Sequence, residues 1–221
     1  MMKGYVEVLD KRDEWLKYYL LNSGYKLSEF RNDLDFYYLG KNGNQYCDLR
    51  CPYIFTLNDG VYPTININKD IIFKQENNLL TVLGLLKLMI ENRHGYRNRI
   101  LILGFGDLAQ KIAHCLKQYH NTITIANRNN KDDVIIKQRG YQHVDLKHIE
   151  GEFDVIINTI PKETICYQTF DKSVIYDLAT TISINHASYY SYRSLPGMFF
   201  PRQSAKLIFH TMDRVMRNVK K

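Results

Sequence analysis

Short apolar runs alternate with stretches of helical period along the C-terminal two thirds of the chain. Residues 99–103, 122–126, 153–160 and 173–176 are rich in Ile, Val and Leu and end at turn signals, as strands buried on both faces do. Between the first two, Leu108, Ile112, Cys115 and Leu116 recur at helical spacing. A helix is expected near residues 132–139 and a strand or loop at 141–144. Strands alternating with helices predict a parallel sheet covered by helices.

The N-terminal part has shorter signals. Residues 5–9 alternate as a strand, Asp10 is placed to cap a helix, and Trp15, Leu16, Tyr18 and Tyr19 form that helix's apolar face before Gly24. Residues 27–30 read as a short strand. Residues 35–39 and 45–49 flank Gly40-Lys41-Asn42-Gly43, where Asn-Gly predicts a hairpin. A strand at 53–57, the turn Asn58-Asp59-Gly60 and a strand or link at 65–73 complete a small α/β domain over residues 1–78. Residues 79–92 predict a helix with the stripe Leu79, Val82, Leu83, Leu86 and Ile90, widened by Leu80, Leu85, Leu88 and Met89. Apolar almost all round, it is expected to be buried on two sides, as a linking helix over 79–95 ended by Gly95. Residues 96–200 are expected to form the second, parallel-sheet domain. Residues 201–221 form an amphipathic helix, with Ala205, Ile208, Phe209, Met212, Val215, Met216 and Val219 inward, that packs back on the core.

The candidate chemistry begins at Gly104-Phe105-Gly106-Asp107-Leu108-Ala109, which fits G-x-G-x-x-A after a strand and before a helix. Gly104 permits a tight turn, Gly106 lets the backbone approach a pyrophosphate, and Ala109 lets helix and strand pack closely. The helix's first N–H groups and its dipole suit a phosphate. An NAD site usually has an acid at the end of the second strand, for the ribose 2′-hydroxyl. This chain has Asn127 and Arg128, followed by Asn129. Arg128 suits a 2′-phosphate and Asn127 a ribose hydroxyl, so NADP is favoured over NAD.

Composition narrows the choice further. The chain has 221 residues, 45% hydrophobic and 24% charged, which suits a globular protein with a real core. Its formal charge of +7 suits anionic ligands, but the basic residues are spread among acids, which argues against nucleic acid. Four cysteines, with Cys47 and Cys51 the only close pair, predict neither a disulfide scaffold nor a zinc site; no metal is expected. The longest apolar stretch, 79–90, is too short for a bilayer and the N-terminus has no signal pattern, so a cytoplasmic protein not bound to membranes is expected.

A set of motifs is more particular than a Rossmann sheet. ENNLLTVLG at 76–84, LGFGDLA at 103–109, DVIINTIP at 154–161, YDLAT at 176–180 and SLPGMFFPRQSAKLI at 194–208 occur in this order. Over about residues 70–219 the sequence resembles the dipicolinate synthase A chain of bacteria, a Rossmann family like the 2-hydroxyacid dehydrogenases, here with a shortened N-terminal domain. The resemblance implies an α/β fold: a Rossmann-like parallel-sheet nucleotide-binding domain with a second, smaller, truncated flavodoxin-like α/β domain. It implies oxidation of a cyclic precursor to pyridine-2,6-dicarboxylate with NADP, beside a flavoprotein-like second subunit. By position, Gly104, Phe105, Gly106, Asp107 and Leu108 would cradle the pyrophosphate, and Asn127, Arg128 and Asn129 would hold the adenosine end. Thr159, Ile160 and Pro161 would line the nicotinamide ribose, and Asp177, Leu178 and Ala179, with Leu195, Pro196 and Gly197, the cleft near the nicotinamide. Where the family has a Pro-Gly-Gly turn, this chain has Thr181-Ile182-Ser183-Ile184-Asn185.

Hydride transfer needs an acid or base and, for a carboxylate substrate, a cation. His186 and Asp177 are the candidate acid/bases, with His94 as a further option. Arg193 and Arg202, with Pro196 and Gly197, are the candidate substrate-binding residues. The expected function is an NAD(P)-dependent oxidoreductase acting on a small, possibly cyclic, carboxylate, as a homo-oligomer. The alternatives are a non-catalytic nucleotide- or partner-binding relative and, because of Asn127-Arg128, a shikimate dehydrogenase-like enzyme.

Overall fold

A computed structural model describes residues 1–41, 51–59, 64–161, 170–179 and 188–218. The chain divides into two compact units, residues 1–80 with 196–221, and residues 81–195. The boundary falls inside one continuous helix, α2 (Ile71–Glu91).

The first unit has five parallel strands, β1 (Lys3–Val6), β2 (Lys26–Leu27), β3 (Phe36–Gly40), β4 (Tyr53–Thr56) and β5 (Ile65–Asn66). Their order, β2-β1-β3-β4-β5, is the flavodoxin-like order. Between β1 and β2 runs α1 (Lys11–Asn22), started by a reciprocal cap. Asp10 Oδ1 accepts from the Arg12 and Asp13 N–H groups, and Asp13 Oδ2 accepts from the Leu9 and Asp10 N–H groups. This is a capping box with Asp at the third helical position. Leu16 and Leu20 of α1 enter a core with Val6, Phe36, Tyr38 and Phe55. The same core receives Ala205, Ile208, Phe209, Met212 and Met216 from the last helix, α6 (Pro201–Asn218). Tyr25 donates to Asp213 at 2.6 Å and Arg214 pairs with Asp70 at 2.6 Å, fixing α6 to its own unit. Gly4 is required for space: a Cβ there would lie 2.2–2.3 Å from the Phe36 ring.

Three expectations change. The hairpin at 40–43 does not form as expected, because β3 pairs in parallel with β1 on one edge and with β4 on the other. Neither edge is left for a hairpin partner, and its proposed second strand at 45–49 lies outside the described residues. The segment 65–73 is only briefly a strand, and α2 begins at Ile71, eight residues before the apolar stripe suggested. Nor is α2 buried all round. Val82, Leu85 and Met89 are buried, whereas Ile72, Leu79, Leu83 and Ile90 are 42–57% exposed. The exposed set is spaced by seven, four and seven residues, one continuous seam on a helix.

The second unit has six parallel strands, β6 (Arg99–Leu103), β7 (Thr122–Asn127), β8 (Gln142–Asp145), β9 (Val155–Asn158), β10 (Val174–Asp177) and β11 (Tyr189–Ser191). Their order, β11-β10-β9-β6-β7-β8, is the dinucleotide-binding order, which reverses between β6 and β9. Helix α3 (Asp107–Lys117) connects β6 to β7 and α4 (Asp133–Gln138) connects β7 to β8. A five-residue helix, α5 (Leu195–Phe199), precedes α6. Among the described residues no helix is long and apolar enough to cross a membrane.

The cap of α1 is a test of the first unit. Asp10→Ala removes acceptors from two helix N–H groups and should cost about 1–2 kcal/mol, read as a lower urea midpoint at unchanged slope.

Candidate functional site

The carboxyl ends of the second unit's strands stand in register. Leu103 of β6 lies opposite Ala126 of β7 on one side and Asn158 of β9 on the other, and Asn158 lies opposite Asp177 of β10. Ligands of open parallel sheets bind where the strand order reverses, here between β6 and β9. Gly104 sits at that point. Its φ is +96°, its N–H donates to the Ala126 carbonyl at 2.8 Å, and a Cβ would lie 2.8 Å from Thr159 Oγ1 and 3.2 Å from Ile160 Cγ1. Backbone conformation and lack of room thus both require glycine.

Gly106 differs. Its backbone is ordinary, at φ −70°, and it caps α3 without a side chain. A Cβ there would meet no atom of the described residues within 4 Å. Packing among the described residues does not explain this glycine. Ala109 is fully buried, as close packing of α3 requires. Gln110 braces the loop: its Nε2 donates to the Phe105 carbonyl at 2.9 Å, and its Oε1 accepts from Arg139 at 2.7 Å. Asp107 pairs with Lys111 at 2.6 Å, and Leu108 is half-buried.

At the end of β7, Arg128 and Asn129 are exposed, and Asn129 Oδ1 accepts from the Lys131 N–H. Asn127 is buried and its side chain is engaged within the protein. Its Nδ2 donates to Asp132 at 2.7 Å, and its Oδ1 faces His143 Nε2 at 2.7 Å. His143, Asp132 and Asp133 carry no motif and sequence reasoning did not single them out; only the pairing of β7 with β8 brings His143 to this strand end.

The ends of β9 and β10 are tied together. Asn158 Oδ1 accepts from the Ile160 N–H, and its Nδ2 is 3.2 Å from both the Ile160 carbonyl and Asp177 Oδ1. Thr159 Oγ1 donates to the Leu103 carbonyl at 2.7 Å. Thr159 and Ile160 are half-buried, and Pro161 follows them exposed. Asp177 is fully buried. It accepts from the Ala179 N–H at 2.9 Å, from Asn158 and from the Tyr189 hydroxyl at 2.6 Å. Such bonding makes it an anchor of three strand ends. Leu178 and Ala179 are half-buried beside it. His94 contacts the Tyr176 hydroxyl at 3.0 Å, which also accepts from Asn92, and burial lowers the imidazole pKa.

The other candidates are divided between the two units and a position outside the described residues. His186 lies outside the described residues. Arg193 belongs to the second unit, exposed, with Nε 3.4 Å from Ser191 Oγ. Pro196, Gly197 and Arg202 belong to the first unit. There Arg202, an exposed residue of α6, lies over Trp15 of α1 at 5.0 Å and reaches the Tyr19 hydroxyl at 3.4 Å. A cavity of about 400 Å³ lies at the opposite, amino-terminal end of the six-stranded sheet, lined by Arg99, Glu152, Asp154, Phe170, Lys172 and Ser173. Arg99 holds the Asp154 carboxyl below its usual range there. Among the described residues no three His, Cys, Asp or Glu side chains are grouped as a metal site.

With this geometry in place, the likeness to known proteins is informative. Residues 87–187 match the family "D-isomer specific 2-hydroxyacid dehydrogenase, NAD binding domain". The fold is similar to that of the dipicolinate synthase A chain from Bacillus subtilis: TM-score 0.82 and 15% identity, covering 99% of this chain and 97% of that one. The corresponding dipicolinate synthase chain from Bacillus halodurans gives TM-score 0.79 and 12% identity over 97% of each chain. The apo-structure of D-lactate dehydrogenase from Escherichia coli gives 0.63 and 11% identity, covering 100% of this chain and 97% of that one. No curated protein matches the sequence. At these identities the likeness establishes the fold, a Rossmann-like unit with a smaller α/β unit. It extends across both units, beyond the C-terminal motifs that first suggested it.

The two glycines should respond differently. Gly104→Ala combines a positive φ with a contact shorter than van der Waals distance and should cost about 2 kcal/mol or more. Gly106→Ala meets open space and should cost less than about 1 kcal/mol. Chemical denaturation of the two variants side by side checks the contrast.

Proposed function

We propose that the chain is an NAD(P)-dependent oxidoreductase, transferring hydride between the nicotinamide and a small, possibly cyclic, carboxylate. The observation that carries this reading is the open space above Gly106, at the start of a helix whose preceding turn is built at the strand-order reversal. The match of residues 87–187 to an NAD-binding domain family supports it. The bound nicotinamide supplies the hydride acceptor or donor. The chain's own part is to receive the pyrophosphate on the N–H groups after Gly106 and to present Thr159, Ile160, Leu178 and Ala179 to the nicotinamide half. Phe105, braced through its carbonyl by Gln110, holds the loop in shape.

NADP is favoured because Arg128 is exposed at the end of β7, and no acid occupies the strand end itself. Arg193 and Arg202 are the proposed cations for the substrate carboxylate, and His186 the proposed proton carrier. The likeness to dipicolinate synthase chains supports a cyclic dicarboxylate product and a flavoprotein-like partner subunit. The reading of a binding protein without catalysis draws on the buried Asp177, which accepts hydrogen bonds from three partners within the protein. We also propose a homo-oligomer in which a second copy of α2 covers the exposed seam of Ile72, Leu79, Leu83 and Ile90.

Calorimetric titration of the full chain with NADPH and NADH tests the cofactor. Tighter NADPH binding is expected, and Arg128→Ala should weaken it about 10–100-fold, the worth of a charge-assisted hydrogen bond, with little effect on NADH. Absence of binding by either at millimolar concentration overturns the reading. If NADPH binds, turnover of cyclic and keto carboxylates separates the enzyme from the binding protein. Leu83→Glu should shift the sedimentation coefficient from dimer to monomer; a wild type that sediments as a monomer refutes the seam.

A further inference from the structure

The polar groups at the end of β7 form one connected set. Asp132 Oδ2 lies 2.7 Å from Asn127 Nδ2, and an ionised carboxylate can only accept. That contact orients the amide and turns its Oδ1 towards β8. There His143 Nε2 meets it at 2.7 Å, while Nδ1 meets Asp133 Oδ1 at 2.9 Å. The His143 side chain is only 8% exposed, so water does not replace these partners. The ring therefore faces an oxygen acceptor on each side. Only the imidazolium donates from both nitrogens; either neutral tautomer sets a lone pair against an oxygen.

The surrounding charges make that proton matter. Asp133 takes His143 on one oxygen and Lys137 on the other, at 2.9 Å each, and both lower its pKa. Asp132 comes from the turn before α4, and Asp145 of β8 stands in register with Asn127, its Oδ1 accepting from the Lys147 N–H. Arg128 and Lys131 are exposed on the connection after β7. Three carboxylates thus lie close to the strand end proposed to receive the adenosine ribose.

The geometry points to His143 as a positioning and specificity residue for the adenosine end. As imidazolium it pins Asn127 and offsets Asp133, so that a 2′-phosphorylated dinucleotide is accepted beside Arg128. Without this side chain Asn127 loses its partner on β8 and Asp133 keeps only Lys137, and the site turns towards the unphosphorylated ribose. The preference for NADPH over NADH therefore depends on His143. This inference rests on the dinucleotide reading proposed above.

The test is the ratio of NADPH to NADH affinity, measured calorimetrically at one pH for the full chain, His143→Gln and Asp133→Asn. His143→Gln should lose about 5–10-fold in NADPH affinity, with NADH held within about twofold, as expected for removal of one nearby charge. Asp133→Asn removes a carboxylate from beside the site and should shift the ratio the other way, towards NADPH; it decides the matter if His143→Gln does not fold. Equal loss of both cofactors, or a ratio in the folded variants that matches the wild type's, overturns the inference. A wild type that binds neither dinucleotide overturns the dinucleotide reading itself, and the inference falls with it.

Discussion

The second unit depends on one close approach, that of the Gly104 backbone to Thr159 and Ile160 across the reversal of strand order. A parallel sheet that winds both ways from its middle must open a crevice there, and the two chain segments leaving β6 and β9 diverge from it. In this chain they are drawn together: Thr159 donates to the Leu103 carbonyl, and Gly104 fits beneath the threonine hydroxyl. The tight base of the crevice directs the next residues outward, so that α3 starts with its first turn facing open space. The same logic extends along the strand ends. Asn158 and Asp177 exchange a hydrogen bond, and Tyr189 closes the row from the edge strand. Buried polar side chains add to the last backbone bonds of the strand row, from the Thr159 N–H to the Leu103 carbonyl and from the Leu178 N–H to the Asn158 carbonyl.

This economy separates the two ends of the strand row. Near β9 and β10 the polar groups satisfy one another, leaving a rigid floor. Near β7 and β8 they include more acids than the floor needs, together with a histidine and an exposed arginine. The first end is built for shape, the second for charge. A dinucleotide lying along such a row would find its phosphates at the helix between them, where both kinds of control meet.

Much of this was legible in the residues. The βαβ pattern around 99–127 and the glycine turn appear directly, because buried parallel strands are continuous apolar runs and the turn demands glycine. The Asp10 cap was legible for a similar reason: helix starts have local chemistry. The hairpin at 40–43 misled because Asn-Gly is a local signal, whereas the edges of β3 are claimed by β1 and β4, distant in sequence. Helix α2 misled because apolar spacing shows where a helix is sticky and not which side of it is covered; its exposed seam and its buried face are both apolar. His143 could not be found at all. It lies in the short strand Gln-His-Val-Asp, and its meaning comes from a neighbour sixteen residues earlier. Asp177 was found, but hydrogen bonding gave it a mechanical duty that residue type alone does not reveal.

The contact of Gly4 with the Phe36 ring carries a different kind of consequence. The ring occupies the volume where any side chain at position 4 would begin, so position 4 is not free to vary while the ring is there. A lineage that gains even one methyl on β1 must first shrink the aromatic on β3, passing through an intermediate with a void in the small unit's core. The order of change is therefore fixed: position 36 first, position 4 afterwards.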